Sequence, residues 1–575
     1  MLQDGKILIG KGENPVYLLP GMSNRHGLIA GATGTGKTTT LKVLAEGFSD
    51  LGVPVFLADI KGDVSGTVLP GEDSDKVRER LQTVGVDPAA FQFTGYPCRF
   101  WDVLGKGGIP VRATVTEVGP VLLSRLLNLS DVQEGVLNIA FRVADDNGWE
   151  LIDFKDLRAM LGYLGEHREE YTITYGNVTT QSVGAIQRAL LALENDGAVD
   201  FFGEPDLDIA DWFQVSEDGR GMVNILHAEE LYHRPLLYAT FMLWMLSELF
   251  ERMPEVGDQE KPRLVFFFDE AHLLFNNAPR ALVEKIVQVV KLIRSKGVGV
   301  FFITQSPADI PDEVLAQLNN RIQHAMRAYT PAEQKAVRTA AQSFRANPNF
   351  KTEDAISNMG TGVALVSTLD EAGVPGVVEQ TVICPPQSSL NGMELVAKVM
   401  LVTNDALYGK YKDLVDDYSA YEILTEEAEA KAAALAAEEA RKAAEKAALA
   451  EQKAAEKAAK AAEKAAVAEQ KAAEKAEKEA EKAALAEQKA AEKAAREEEK
   501  ALQAQYKAEG KDKYGRTKMQ QSIVRATRNT AKSVGRKAAK TITRGILGNS
   551  NKTVSSAAGQ FAGNIISDII GGFIK

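Results

Sequence analysis

Cysteine is nearly missing from this chain. Cys98 and Cys384 are the only two in 575 residues, too few for a disulfide framework and suited to a reducing compartment. No stretch approaches the roughly 20 consecutive apolar residues that a bilayer-spanning helix needs. The N-terminus, MLQDGKILIG, lacks the basic-then-apolar layout of a signal peptide. These absences predict a soluble, cytoplasmic protein. His26, His227 and His272 stand isolated in the sequence, so no histidine-based metal cluster is expected. From about residue 425 to 505 there is neither glycine nor proline, which excludes a chain of short turns there.

What is present falls into three regimes. Residues 1 to about 420 read as ordinary globular sequence, and a chain of this length predicts three or four domains at roughly 150 residues each. Residues 425–505 are almost entirely Ala, Lys, Glu and Gln. ALAEQKAAEKAA begins at Ala448, returns as AVAEQKAAEKAE from Ala466, and again as ALAEQKAAEKAA from Ala484. The 18-residue period places Leu449, Val467 and Leu485 five helical turns apart. Strong helix formers and i,i+4 pairs such as Glu456–Lys460 predict one helix of about 80 residues, some ~120 Å long. It reads equally as a solvated spacer or a weak alanine-rich coiled coil. Residues 506–575 carry 14 Lys/Arg against 3 Asp/Glu, a net of +11, leaving −23 for the rest of a chain whose total is −12. Arg525, Arg528, Lys532, Arg536, Lys537, Lys540 and Arg544 would give a helix one basic face. That face suits a phosphate backbone or anionic lipid, and equally a solvated tail.

The residues that point to chemistry begin at 28-LIAGATGTGKT-38. Gly31, four residues, then Gly36, Lys37 and Thr38 fit the phosphate-loop pattern GxxxxGK(S/T) in full. An apolar run precedes the loop and a helical pattern follows it. This order surrounds phosphate oxygens with backbone N–H groups at a helix N-terminus. Nucleotide-contacting residues are therefore Gly31, Ala32, Thr33, Gly34, Thr35, Gly36, Lys37, Thr38 and Thr39. Lys37 is expected at the β- and γ-phosphates and Thr38 on Mg²⁺. The bland alternative is a glycine-rich turn without a ligand.

Further apolar runs, 54-PVFLADI-60, 221-GMVNILH-227, 264-LVFFF-268, 298-VGVFFIT-304 and 321-RIQHAMRA-328, alternate with helical patterns. Such strands imply an α/β fold whose parallel sheet is covered on both faces. The segment 75–220 reads as mostly helical, including 117–131. LVFFF runs into Asp269-Glu270-Ala271-His272. There Asp269 would hold Mg²⁺ and Glu270 would polarise the attacking water, unless the pair is only a surface turn. Gln305 closes VGVFFIT, where it would sense the γ-phosphate or merely cap the strand. Asp59 either reaches the site or forms its own turn in DIKGD.

GATGTGKT, ADIKGD, FFFDEAH and IRSKGVGVFFITQSPADIP, in that order, resemble the HerA–FtsK group of ring-forming DNA-pumping ATPases, and more narrowly the bacterial HerA-like proteins. The likeness spans most of residues 1–400, including 101-WDVLGKGGIPVRATV-115, and touches 544-RGILG-548. It implies a RecA-like core, a homo-hexamer, ATP and Mg²⁺ at subunit interfaces, double-stranded DNA as the polymer and a nuclease as a partner. It also implies an arginine donated in trans, matched best by Arg294, with Arg321 and Arg327 as weaker choices. The expected organisation is a core in two parts (1–74 and 221–400) split by the insertion 75–220. A connector (401–424), the long helix (425–505) and the basic tail (506–575) follow. Two rival classes stand beside this one: a small-molecule phosphotransferase, and an assembly protein whose nucleotide only controls oligomerisation.

Overall fold

The computed structural model describes residues 2–195, 197–275 and 280–476. The third repeat copy and the basic tail lie outside these described residues. Two compact units divide the chain at Ala437/Glu438.

The first unit is built on one sheet. Its strands are β1 (Lys6–Lys11), β2 (Gly27–Ala30), β3 (Val55–Asp59), β4 (Cys98–Asp102), β5 (Val223–His227), β6 (Leu264–Phe268), β7 (Val298–Thr304), β8 (Asn320–His324), β9 (Val363–Ser367) and β10 (Glu379–Ile383), with short edge strands beside them. In space they run β1–β10–β9–β8–β2–β7–β6–β3–β5–β4. From β8 to β4 every pairing is parallel, whereas β9, β10 and β1 extend the sheet antiparallel. All residues of β2, β3, β6 and β7 are buried. That explains why these strands are unbroken apolar runs rather than alternating ones.

Aromatic packing fixes the centre. Phe267 stacks on Phe301 and Phe268 on Phe302, each at 5.2 Å between ring centroids. Helix α1 (Lys37–Asp50) lays Phe48 against both Phe267 and Phe301 at 6.3 and 6.2 Å. Fully burying one such ring contributes roughly 1.5–3 kcal/mol.

The region 75–220 supplies helices and also a strand. CRFWD becomes β4, paired to β5, because its charges are satisfied where they are buried. Arg99 meets Asp405 at 2.9 Å, and Asp102 accepts the N–H groups of Leu104, Lys106 and Gly107. Helices α2 (Val115–Leu126), α3 (Asp131–Asn147), α4 (Phe154–Glu166) and α5 (Thr180–Asn195) pack through Leu123, Leu137, Leu157, Leu161, Ile186 and Leu190. Capping boxes at Thr114, Ser130 and Asp153 start three of them. The run 117–131 is not one helix. Gly119 leaves helical geometry ahead of Pro120, α2 ends at Leu126 and α3 starts at Asp131. Likewise the strand read at 321–328 ends at His324, since Met326 N–H turns away to Ile356 O at 3.1 Å.

Helix α6 (Pro235–Arg252) is apolar on almost every side and buried accordingly. After β10 the chain crosses α1 and enters α7 (Leu395–Asn404). Helix α8 (Ala420–Ala476) has 57 residues, about 85 Å. Its start is tied down within the first unit: Asp156 accepts Tyr421 N–H at 2.9 Å and Lys155 meets Glu422 at 2.9 Å. The second unit begins within α8. There Glu438–Lys442 and Glu456–Lys460 close at 2.7 and 2.6 Å, while Leu449 and Val467 stay half exposed. No helix among the described residues is long and apolar enough to cross a membrane.

Candidate nucleotide site

The parallel strands bring their carboxyl ends to one edge of the sheet. At the end of β2 the chain turns through Gly31–Gly36 into α1. Two neighbours brace the turn: Gly31 N–H donates to Thr304 O at the end of β7 (3.2 Å), and Ala32 N–H to Ala325 O beyond β8 (2.8 Å). Thr35 is buried and donates to Ala32 O at 2.7 Å, whereas Thr33 and Gly34 are exposed at the tip. The intrahelical ladder of α1 starts with Thr40 N–H to Gly36 O. The amides of Lys37, Thr38 and Thr39 therefore precede that ladder, as anion binding at a helix start requires.

Lys37 is buried and its ammonium donates to Gly31 O at 2.6 Å and Ala32 O at 3.2 Å. Burial pulls its pKa below the usual lysine value, with Lys61 adding to this and Glu270 and Asp269 opposing it. Thr38 Oγ1 donates to Asp63 at 3.1 Å. Behind the loop, His324 bonds Thr40 Oγ1 at 2.8 Å, and a Cβ on Gly31 would stand 2.5 Å from the histidine Cβ. Only glycine permits that approach. Burial, helped by Lys37, drives the His324 pKa down to about 4, so it packs there as a neutral ring.

The acidic pair sits at the end of β6. Strand β7 lies between it and the phosphate-loop strand, with Phe301 opposite Gly27 on one side and Phe267 on the other. Asp269 is buried. One carboxylate oxygen accepts Glu270 N–H at 2.9 Å, and Tyr238 of α6 donates to the Asp269 carbonyl at 3.2 Å. Burial raises the Asp269 carboxyl to about 7; Lys61 works against the rise and Glu270 with it. Glu270 is only 3% exposed and has φ +47°, a left-handed conformation that costs a non-glycine residue about 1–2 kcal/mol. Its Oε1 accepts from Lys61 Nζ at 2.6 Å. Oε2 has no hydrogen-bond partner, although His272 Nδ1 lies 3.3 Å away. Burial would raise the Glu270 pKa, but the Lys61 contact outweighs it and holds the group below its usual value.

These donors suit a divalent cation. A buried carboxylate at Asp269 and the Thr38 hydroxyl are hard oxygen ligands of the kind Mg²⁺ takes directly or through water.

The remaining sequence candidates divide by position. Gln305 follows Thr304 at the same edge and is exposed. Arg294 stands at the amino end of β7, roughly 20 Å along the strand, half-exposed and 3.4 Å from Asp258. Arg321 is spent internally, donating to Leu318 O, Ser343 O and Leu315 O. Arg327 is exposed beyond β8. Asp59 accepts Val64 and Ser65 N–H at 3.4 and 3.0 Å and so forms its own turn. Sequence reasoning passed over Lys61, Asp63, Tyr238 and His324. The first two had a signal, as the charged residues of a turn directly after a buried strand.

A phosphate loop, a parallel sheet and an acidic pair one strand away together define a P-loop ATPase. The chain belongs to the helicase HerA-like C-terminal family, whose model matches residues 5–482. Among solved structures, the bacterial conjugative coupling protein TrwB in its unbound monoclinic form is similar at 14% identity, with 68% of this chain and 92% of that chain covered and a TM-score of 0.46. TrwB in complex with ADP and Mg²⁺ aligns at 14% identity, 64% and 89% coverage and a TM-score of 0.41. VirB4 of Thermoanaerobacter pseudethanolicus aligns at 16% identity, 67% and 97% coverage and a TM-score of 0.43. A comparison with curated proteins returns no match.

Proposed function

We propose that this ATPase is the protomer of a homo-hexameric ring that translocates or remodels double-stranded DNA. The observation that carries the reading is the shared edge: phosphate loop, Asp269–Glu270 and Gln305 all stand at the carboxyl ends of β2, β6 and β7. In this reading Lys37 leaves its loop carbonyls for the β- and γ-phosphates of ATP, and the Thr38 hydroxyl and Asp269 hold Mg²⁺. The cation supplies charge neutralisation on the transferred phosphoryl group. Glu270 orients the attacking water and Gln305 reads the γ-phosphate. Arg294 is too far along β7 to serve its own site, which suits donation to a neighbour's. Residues 1–74 and 221–400 form the motor core, 75–220 the insertion, and the segments after 400 the connector, helix and basic tail. The tail contacts nucleic acid or an anionic membrane surface, a nuclease acts beside the motor, and the setting is cytoplasmic.

One observation favours a second reading. Helix α8 continues for 57 residues with a solvated surface, as a tether in a nucleotide-controlled assembly protein would. ATP hydrolysis with and without long duplex DNA, with Glu270→Gln as control and sedimentation alongside, separates the two. The motor requires DNA-stimulated turnover, its loss in Glu270→Gln, and a ring-sized particle. Turnover indifferent to DNA, with assembly that follows nucleotide, selects the second reading.

A further inference from the structure

Directly after β3, the turn Lys61-Gly62-Asp63 reaches both halves of the nucleotide site. Lys61 Nζ holds Glu270 Oε1 at 2.6 Å, and Asp63 takes the Thr38 hydroxyl at 3.1 Å. Gly62 makes the turn with φ +78°, in the left-handed region that favours glycine. The turn is also anchored from behind. Asp59 accepts two backbone N–H groups of the loop, Ser65 Oγ donates to Gly62 O at 2.7 Å, and Ser65 Oγ accepts Met393 N–H at 2.9 Å.

The consequence falls on Glu270. Its backbone is in a conformation that side-chain-bearing residues avoid, so something must keep the carboxylate aimed. Lys61 grips one oxygen. The other, Oε2, is buried and accepts no hydrogen bond among the described residues, its polar neighbour being His272 Nδ1 at 3.3 Å. We propose that Lys61 is a positioning residue for hydrolysis: it clamps Glu270 by Oε1 so that Oε2 is presented to the attacking water. The inference rests on Glu270 acting as the base. In that step the water oxygen bonds to the γ-phosphorus while the bond to the β,γ-bridging oxygen breaks. Its electron pair leaves with ADP, and the water proton passes to Oε2.

Steady-state hydrolysis of ATP with Mg²⁺ by the full chain tests this. Lys61→Met should lower kcat about ten- to a hundredfold, the scale of a misaligned general base, with KM for ATP within about threefold because Lys37 is untouched. Lys61→Arg, which keeps the charge and hydrogen-bond donors, should recover most of the loss. Lys61→Gln serves as a second neutral variant if Lys61→Met melts at lower temperature. An unchanged or raised kcat, a loss carried by KM alone, or no rescue by arginine would overturn the proposal. If Glu270→Gln itself turns over normally, the base assignment fails. If Glu270→Gln is inactive while Lys61→Met and Lys61→Gln are normal, only the role of Lys61 fails.

Discussion

Helices α1 and α8 are made by opposite physics. Helix α1 has 14 residues, opens with Lys37-Thr38-Thr39-Thr40 and carries Gly47, a poor set of intrinsic helix formers. It exists because Leu41, Leu44 and Phe48 are buried against the sheet and because even its charges are used. Lys42 donates to Ser389 O at 2.5 Å, and Glu46 accepts Gln387 and Ser388 N–H at 2.7 and 3.0 Å. Those bonds pin the strand-to-α7 crossing over the phosphate-loop helix. Beyond Ala437, the described side chains of α8 are exposed, and alanine propensity and i,i+4 pairs hold the helix. Chemistry sits on the helix whose geometry the core dictates. Reach sits on the helix that dictates its own.

The comparison breaks most visibly at Lys37. Lys37→Ala should weaken nucleotide binding and reduce ATP turnover by at least about a hundredfold, while the same change at Lys457 leaves both unaltered; nucleotide titration and turnover assays check it. Next in size, Phe48→Ala should cost about 3–5 kcal/mol, read as a shift in the urea midpoint of the first unit.

Glu46 sharpens the contrast by pH. Burial lifts its pKa to about 7, against the bonds from Ser388 and Gln387 and the pull of Lys42. The folded state thus binds the proton more tightly than the unfolded one, so this group's contribution declines as pH rises from about 4.5 to 7. Thermal melts from pH 5 to 8 should decline less steeply in Glu46→Gln. The smallest effect is expected in α8. Ala458→Gly should cost local helix about 1 kcal/mol, seen by hydrogen exchange, with the first unit's melting point unmoved.

The same division explains what the sequence made legible. Strands β2, β3, β5, β6 and β7 could be read because burial leaves unbroken apolar runs, and the loop and acidic pair because their chemistry admits few residue types. Strand β4 was hidden by Arg99 and Asp102, whose partners Asp405 and the 104–107 backbone are set only by the fold. The antiparallel flank was hidden too, since β10 must find β1 across more than 350 residues of chain. Lys61 reads as a turn lysine until β3 and β6 are seen side by side.

One contact described above bears on which nucleotides are admitted. Lys37 already has two acceptors in its own loop, Gly31 O and Ala32 O. A ligand recruits that ammonium only by offering more than two neutral carbonyls do. A nucleotide ending at its first phosphate presents little charge at that depth, whereas a triphosphate brings the oxygens of its β- and γ-phosphates. In the proposed site, recruiting Lys37 therefore means exchanging these two hydrogen bonds for contacts with phosphate oxygens.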